Sequence, residues 1–461
     1  MRVCVIGGGI SGLTAAYRLQ KGGATVDVLE GSHRAGGLVG SELLQQHVVE
    51  TGADSILTEK PWALRLAEEL GLESEIIATR TSQRGAYIVH DGKLARIPQG
   101  FSLIAPSDLL ALSASPLLSA RGKARAALEL FIPPRDPKAP DESLEDFVVR
   151  RLGRELFDRL AQPLAGGIYG ADPKKLSLAA TMPRFIALEQ QYGSVIRGLR
   201  EKAKLQSATE GAASGARYGL FAAFKGGMQT FVDALEKQLE TPVETGSTVT
   251  SIERDERGYR VEVRDSVRSY DALVLALPAH VAARLLAELD RELALELGGI
   301  EYGSAATVTL SWPRAAVPHA LDAFGYVVPV IENRAVIAST WASIKYEGRA
   351  PEDKALLRVF LGGHRGQHLV QYGDEELIGL ARRDLRELVG VSAEPDWTRV
   401  VRYLRAMPQY HVGHLDRVSR IEALERRHLR FALAGNAYRG VGIPDAVKSG
   451  EDAALRVLEH C

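Results

Sequence analysis

Apolar positions open the chain as a short unbroken run, Val3-Cys4-Val5-Ile6, followed at once by Gly7-Gly8-Gly9-Ile10-Ser11-Gly12. A β-branched run without polar alternation predicts a strand buried on both faces. Residues 13–19 change to the helical period, and Thr25–Leu29 returns as a second strand ending at Glu30. Strand, glycine turn, helix and strand together predict a βαβ unit, and the glycines have the G-x-G-x-x-G spacing. In that spacing Gly7 makes the tight turn, Gly9 lets the backbone approach a pyrophosphate, and Gly12 lets the helix pack close to the strand. The helix N-terminus then turns free N–H groups and the positive end of its dipole toward the phosphates. A carboxylate such as Glu30, about 20 residues beyond the glycines, suits a ribose hydroxyl and would repel a 2′-phosphate.

Residues 48–55, Val-Val-Glu-Thr-Gly-Ala-Asp-Ser, read as a strand entering a tight turn. Residues 61–71 place Trp62, Leu64, Leu66, Ala67 and Leu70 at helical spacing, and 85–97 has strand character with Asp91-Gly92 as its hairpin turn. Between residues 100 and 219 the period is helical, with leucines interleaved among Arg121, Lys123 and Arg125. Pro133-Pro134 breaks that run, and Ser143-Leu144-Glu145-Asp146 opens another helix with an N-cap signature. The basic, amphipathic first part fits either a solvated face over a helical core or a helix lying on a membrane surface. Residues 202–216 are small and polar and predict a flexible linker. A helix follows at 229–239, paired strands at 243–262, and a near-continuous apolar strand at 270–277. Residues 305–362 are rich in strands (306–310, 324–330, 356–361), the pattern of a second, mainly antiparallel sheet. The chain closes on Phe431-Ala432-Leu433-Ala434-Gly435-Asn436, then Gly440-Val441-Gly442-Ile443-Pro444-Asp445 and a helix from Ala446. That is again strand, glycine turn, helix.

Composition narrows the choices. At 461 residues the chain is too long for one ordinary core. Its 46% hydrophobic and 25% charged content is that of a globular protein. A net charge of −1 gives no electrostatic reason to expect nucleic acid. Cys4 and Cys461 are the only cysteines, which excludes a disulfide framework or a cysteine metal site, and no other metal site is expected. Met1-Arg2 runs straight into a strand, so no signal peptide is expected, and no stretch of about 18 apolar residues predicts a spanning helix. The expected compartment is the reducing cytoplasm, with a peripheral place at the inner face of the cell membrane left open by the helical segment.

The turn after Glu30, Arg34-Ala35-Gly36-Gly37, resembles the R-x-G-G turn of the flavin amine oxidase superfamily, which makes FAD the expected dinucleotide. Over nearly its whole length the chain resembles the oxygen-dependent protoporphyrinogen and coproporphyrinogen III oxidases of haem synthesis. The segments that carry this are Gly52-Ala53-Asp54-Ser55, Gly167-Ile168-Tyr169-Gly170-Ala171-Asp172, Phe224-Lys225-Gly226-Gly227, Met407-Pro408-Gln409-Tyr410 and Gly440–Asp445. The resemblance implies an α/β fold: a discontinuous Rossmann-like FAD-binding domain (1–76, 217–285, 404–461), an antiparallel-sheet substrate domain (77–100, 286–403) and a helical, membrane-associating insert (101–216). It implies FAD contacts at Gly7, Gly9, Ile10, Ser11, Gly12, Glu30, Gly31, Arg34, Gly37, Leu38, Gly52, Ala53, Asp54, Val249, Val441, Gly442 and Ile443. Gly167 resembles a glycine whose carbonyl faces the porphyrinogen.

An arginine of the protoporphyrinogen branch is replaced here by Ala86, and Arg84, on the same face if the strand reaches it, is its candidate substitute. The segments around Trp341 and Pro408-Gln409-Tyr410-His411 lean toward the coproporphyrinogen branch. Lys60 and Arg84 are candidate partners of substrate carboxylates, and Trp341 and Tyr346 of an apolar slot. The implied chemistry is hydride removal from a meso carbon to the flavin, three times over, with O2 as acceptor and peroxide released. The forming cation is acidic, so no general base is assigned, and His411 and His414 are read as structural. Rival readings are an amine oxidase or carotenoid desaturase of the same fold, or a non-catalytic FAD-binding scaffold or porphyrin-binding partner. A peripheral membrane contact and a homodimer stay open.

Overall fold

A computed structural model describes residues 1–209, 219–264 and 266–459. It divides into two compact units, one of Met1–Thr79, Tyr218–Glu301 and Leu415–Cys461, the other of Arg80–Arg217 and Tyr302–His414.

In the first unit, Arg2–Ile6 lies between Thr25–Leu29 and Ala272–Leu275, and Phe431–Leu433 completes a four-stranded sheet that is parallel throughout. The small side chains Ala15, Ala16, Ala432, Ala453 and Ala454 fill its core with Val3, Val5, Val28 and Val274. Cys4 is fully buried in this sheet, and burial pushes its thiol well above the ordinary range. An inert core cysteine follows. The apolar run 270–277 is not one strand. Tyr270 ends a three-stranded meander (Val249–Asp255, Gly258–Val263, Ser266–Tyr270), and the parallel strand starts at Ala272. Asp271 separates them because its carboxylate accepts the Arg2 N–H at 2.6 Å, while its own N–H donates to the Arg2 carbonyl at 2.9 Å.

In the second unit a seven-stranded sheet runs Trp397–Pro408, Tyr302–Pro313, Lys354–Gly362, Val336–Trp341, Gly325–Val327, Tyr87–His90, Lys93–Arg96. All neighbours are antiparallel except Gly325–Val327 with Tyr87–His90. Asp91 and Gly92 make the expected hairpin turn, with φ of +50° and +74°. The strand Trp397–Pro408 had no clear signal in the sequence. It is an edge strand with only Val400 and Pro408 buried, so Arg399, Arg402 and Arg405 interrupt any alternation.

Three expectations are corrected here. Residues 81–86 are not strand, and Gly85 at φ +118° breaks the alternation that would have put Arg84 in the place of Ala86. Arg84 is an exposed charge. Trp341 and Tyr346 line no slot: they are 0% and 2% exposed, and Trp341 packs against Tyr87 and His319 inside the core. The expected linker 202–216 begins as helix, since Val195–Thr209 runs through its first residues, and the remainder lies outside the described residues.

The helical part of this unit is organised by a buried charge. Ser143 caps Leu144–Leu152 as expected, accepting the Asp146 N–H at 3.0 Å. From that helix Arg151, fully buried, binds Glu129, donates to the carbonyls of Ile132 (2.9 Å), Pro133 (3.1 Å) and Gly193 (3.1 Å), and pairs with Glu189 at 3.2 Å. Glu129 in turn accepts the Val195 N–H at 2.8 Å, at the positive end of helix Val195–Thr209. One guanidinium therefore ties four segments together. Removing it leaves the buried Glu129 without its cation, while Glu189 keeps Arg150 at 2.7 Å. Arg151→Met is expected to lower unfolding free energy by about 3–5 kcal/mol, read as a fall in the urea midpoint.

Candidate functional site

The first unit brings the two glycine turns together. Helix Ile10–Lys21 starts at Gly9, with no side-chain cap on its N-terminal N–H groups. A Cβ on Gly12 would lie 1.9 Å from the Gly7 carbonyl oxygen, so helix and strand approach as closely as the spacing predicts. A Cβ on Gly9 would meet nothing within 4 Å. Open space in front of an uncapped helix N-terminus is an anion cradle. Glu30 stands beside it, one carboxylate oxygen accepting the Gly8 N–H at 2.7 Å and the other the Ser32 N–H at 2.8 Å.

The R-x-G-G turn lies directly on this loop, the Gly36 N–H donating to the Gly8 carbonyl at 2.8 Å. The Arg34 guanidinium donates to the carbonyls of Ala35 (2.8 Å), Val39 (2.9 Å) and Gly37 (3.0 Å). In this structure it shapes the turn itself. The next turn crosses it, because a Cβ on Gly52 would fall 1.6 Å from the Leu38 carbonyl oxygen, and Leu38 stays 45% exposed. A Cβ on Gly31 would meet Thr248 at 3.1 Å, and the Ser247 N–H donates to the Glu30 carbonyl at 2.8 Å, so the chain just ahead of Val249 runs along the acid end of the second strand. The Lys225-Gly226-Gly227 segment leads into helix Gln229–Gln238, whose start is capped by Glu50 and Ser41 at 3.1–3.2 Å.

The closing helix begins at Ile443, not Ala446, with Gly442 as its N-cap. Ser11 Oγ donates to the Ala446 carbonyl at 2.8 Å, joining first and last glycine turns across more than four hundred residues of chain. Lys60 is corrected here. Its ammonium donates to both oxygens of Asp445 at 2.6 and 2.8 Å, so its charge holds the closing turn rather than waiting for a substrate. In the sequence Asp445 stands only as the end of the closing segment, and its pairing with Lys60 is not legible there.

In the second unit Gly167 lies on helix Gln162–Tyr169 and lines a cavity of about 300 Å³. Its opposite wall comes from Val328–Val330, the start of strand Val336–Trp341 and the turn after strand Lys354–Gly362, which carries His364, Arg365 and His368. Burial pushes the His364 imidazole below its usual range, so it is neutral near pH 7. Arg334 is committed to Asp384 at 3.0 Å and Glu387 at 2.8 Å. Two family-like segments meet nearby, Gln409 Nε2 donating to the carbonyls of Met407 (3.0 Å) and Tyr169 (3.4 Å). His414, 4% exposed, stacks on Tyr410 at 3.9 Å between ring centres, a structural role as expected. A strand ending in Gly362-Gly363 before His364 and Arg365 is a third strand–glycine turn, the one signal that could have found this wall.

The sequence matches the flavin containing amine oxidoreductases over residues 10–458. The chain belongs to this family. It is 33% identical to a coproporphyrinogen III oxidase of Bacillus subtilis (strain 168), over 99% of this chain and 98% of that protein. A protoporphyrinogen oxidase of Bos taurus is 30% identical over 99% of this chain and 98% of its own length. Among solved structures, a protein of Exiguobacterium sp. 255-15 whose protoporphyrinogen oxidase name is provisional matches with TM-score 0.89. It is 30% identical, covering 100% of this chain and 99% of that one. The protein is therefore a flavin-dependent oxidoreductase, and FAD is its cofactor. The residues present fit that cofactor: an open helix N-terminus for pyrophosphate and a ribose-height carboxylate at Glu30.

The two glycines separate fold from cofactor. Gly9→Val is expected to unfold like the wild-type apoprotein yet bind FAD about 10-fold more weakly or worse, a loss of about 1.4 kcal/mol or more. Gly12→Val, driven into the Gly7 carbonyl, is expected not to fold. Bound-flavin absorbance and thermal melts of both variants check this.

Proposed function

We propose that this protein oxidises a porphyrinogen, coproporphyrinogen III in particular, to the porphyrin, with dioxygen as acceptor and hydrogen peroxide as product. The observation that carries this reading is the full-length similarity to a coproporphyrinogen III oxidase at 33% identity. Bound FAD supplies the hydride-accepting redox centre. The chain's own residues bind and orient. Gly7, Gly9, Ile10, Ser11 and Gly12 take the pyrophosphate, Glu30 and Gly31 the ribose, and Val249 the adenine. Arg34, Gly37, Leu38, Gly52, Ala53 and Asp54 shape the middle of the cofactor site, and Val441, Gly442 and Ile443 present amides to the ring. Gly167 faces the substrate. No side chain is asked to act as acid or base, because loss of hydride leaves a pyrrole N–H acidic enough to deprotonate unaided. As part of this proposal the chain is assigned FAD-binding segments 1–76, 217–285 and 404–461, substrate segments 77–100 and 286–403, and the insert 101–216.

The FAD-loaded protein is expected to convert coproporphyrinogen III under air to a fluorescent porphyrin with stoichiometric peroxide, and protoporphyrinogen IX more slowly. Flavin that neither porphyrinogen bleaches in the absence of oxygen would refute the assignment and return the amine oxidase, desaturase and scaffold readings.

The insert is also proposed to dock on the cytoplasmic face of a membrane. Among the described residues no helix is long and apolar enough to cross one. Leu110, Leu128 and Phe131 are nonetheless 82%, 55% and 78% exposed, in the same stretch of chain as the basic Arg121 and Lys123. Wild type is expected to sediment with anionic vesicles and a Leu110→Glu/Phe131→Glu variant to stay in solution. The same run without vesicles reads whether two copies associate.

A further inference from the structure

Among the residues lining the cavity beside Gly167, none is an aspartate or glutamate. Its cations differ in kind. Arg334 is neutralised by Asp384 and Glu387, and His364 is uncharged near neutrality. Arg365 is exposed at the rim and makes no hydrogen bond or ion pair with any described residue. A second polar group faces the same space. Gln162 is only 8% exposed, and its side-chain oxygen accepts the Val330 N–H at 2.9 Å. That bond fixes which way the amide points and leaves Nε2 with two donors and no acceptor among the described residues. A Cβ on Gly166 would lie 3.1 Å from this Nε2, and the glycine keeps its approach open. An acid-free cavity with one uncommitted guanidinium and one oriented amide calls for a planar anion with two acceptor oxygens.

We infer that Arg365 and Gln162 form a seat for one carboxylate of the substrate, and so set its preference for an acid-bearing macrocycle. The inference rests on the porphyrinogen reading above and deepens it by naming a carboxylate contact on this chain. Lys60 and Arg84 lose that part, the first to Asp445 and the second to its place in an exposed turn. Arginine donates two parallel bonds to a carboxylate, and lysine keeps the charge without the fork.

The test uses FAD-loaded enzyme and two readouts. Kd for coproporphyrin III, compared with its tetramethyl ester, is followed by fluorescence, and KM and kcat are measured for coproporphyrinogen III. Arg365→Met is expected to raise Kd and KM at least ~10-fold, as loss of a charged hydrogen-bonded pair does, with flavin content unchanged and kcat less affected. It should also erase the preference for the acid over the ester. Arg365→Lys should recover part of the affinity. Gln162→Leu, which alters no charge, should weaken binding several-fold by itself. A wild type that binds and oxidises the tetra-acid while Arg365→Met and Gln162→Leu match it in Kd and KM overturns the seat and leaves the function standing. A wild type that neither binds coproporphyrin III nor oxidises its porphyrinogen overturns the function and the seat with it.

Discussion

Helix Ile10–Lys21 is held by backbone contact on two sides, and the cofactor site depends on both. A Cβ on Gly12 would lie 1.9 Å from the Gly7 carbonyl oxygen, and one on Gly450 would lie 2.3 Å from the Ser11 carbonyl oxygen. Neither neighbour is a flexible side chain that can move away. These contacts press the helix against the turn that precedes it and against the closing helix Ile443–Leu458, and the Ser11 hydroxyl bonds across to Ala446. The N-terminus that faces the open space at Gly9 is thereby fixed before any ligand arrives. Preorganisation of this kind spares the ordering cost on binding.

Charge is distributed by the same logic of commitment. Arg34 holds its own loop, Lys60 holds Asp445, Arg334 holds Asp384 and Arg151 holds Glu129. Each of these cations stabilises a turn or a helix junction by bonding carbonyls or carboxylates of the chain itself. Arg365 satisfies no other group among the described residues and stands on a cavity with no acid in its wall. A cation's function is read from what it is already bonded to, and its residue type alone says little.

The βαβ unit was legible because its signals are local. A buried parallel strand is continuous in apolar residues, the turn needs its glycines at fixed spacing, and Glu30 ends the next strand. The hairpin at Asp91-Gly92 and the cap at Ser143 were legible for the same reason. The edge strand Trp397–Pro408 was not, because a strand with few buried positions has no pattern to impose on its sequence. The break between Tyr270 and Ala272 was hidden too, since it depends on Arg2, far away in the chain. Trp341 and Tyr346 were misplaced because aromatic residues look alike whether they line a slot or fill a core.

The sequence alone determined the dinucleotide fold, the flavin and the oxidoreductase class, since glycine spacing and the family segments are properties of neighbouring residues. Tertiary structure decided what each charge is for. Lys60 and Asp445 lie 385 positions apart and Arg365 and Gln162 about two hundred, and an ion pair or a shared cavity wall exists only once folding brings its members together. Pairing at a few ångströms is what removes one lysine from function and leaves one arginine available for it.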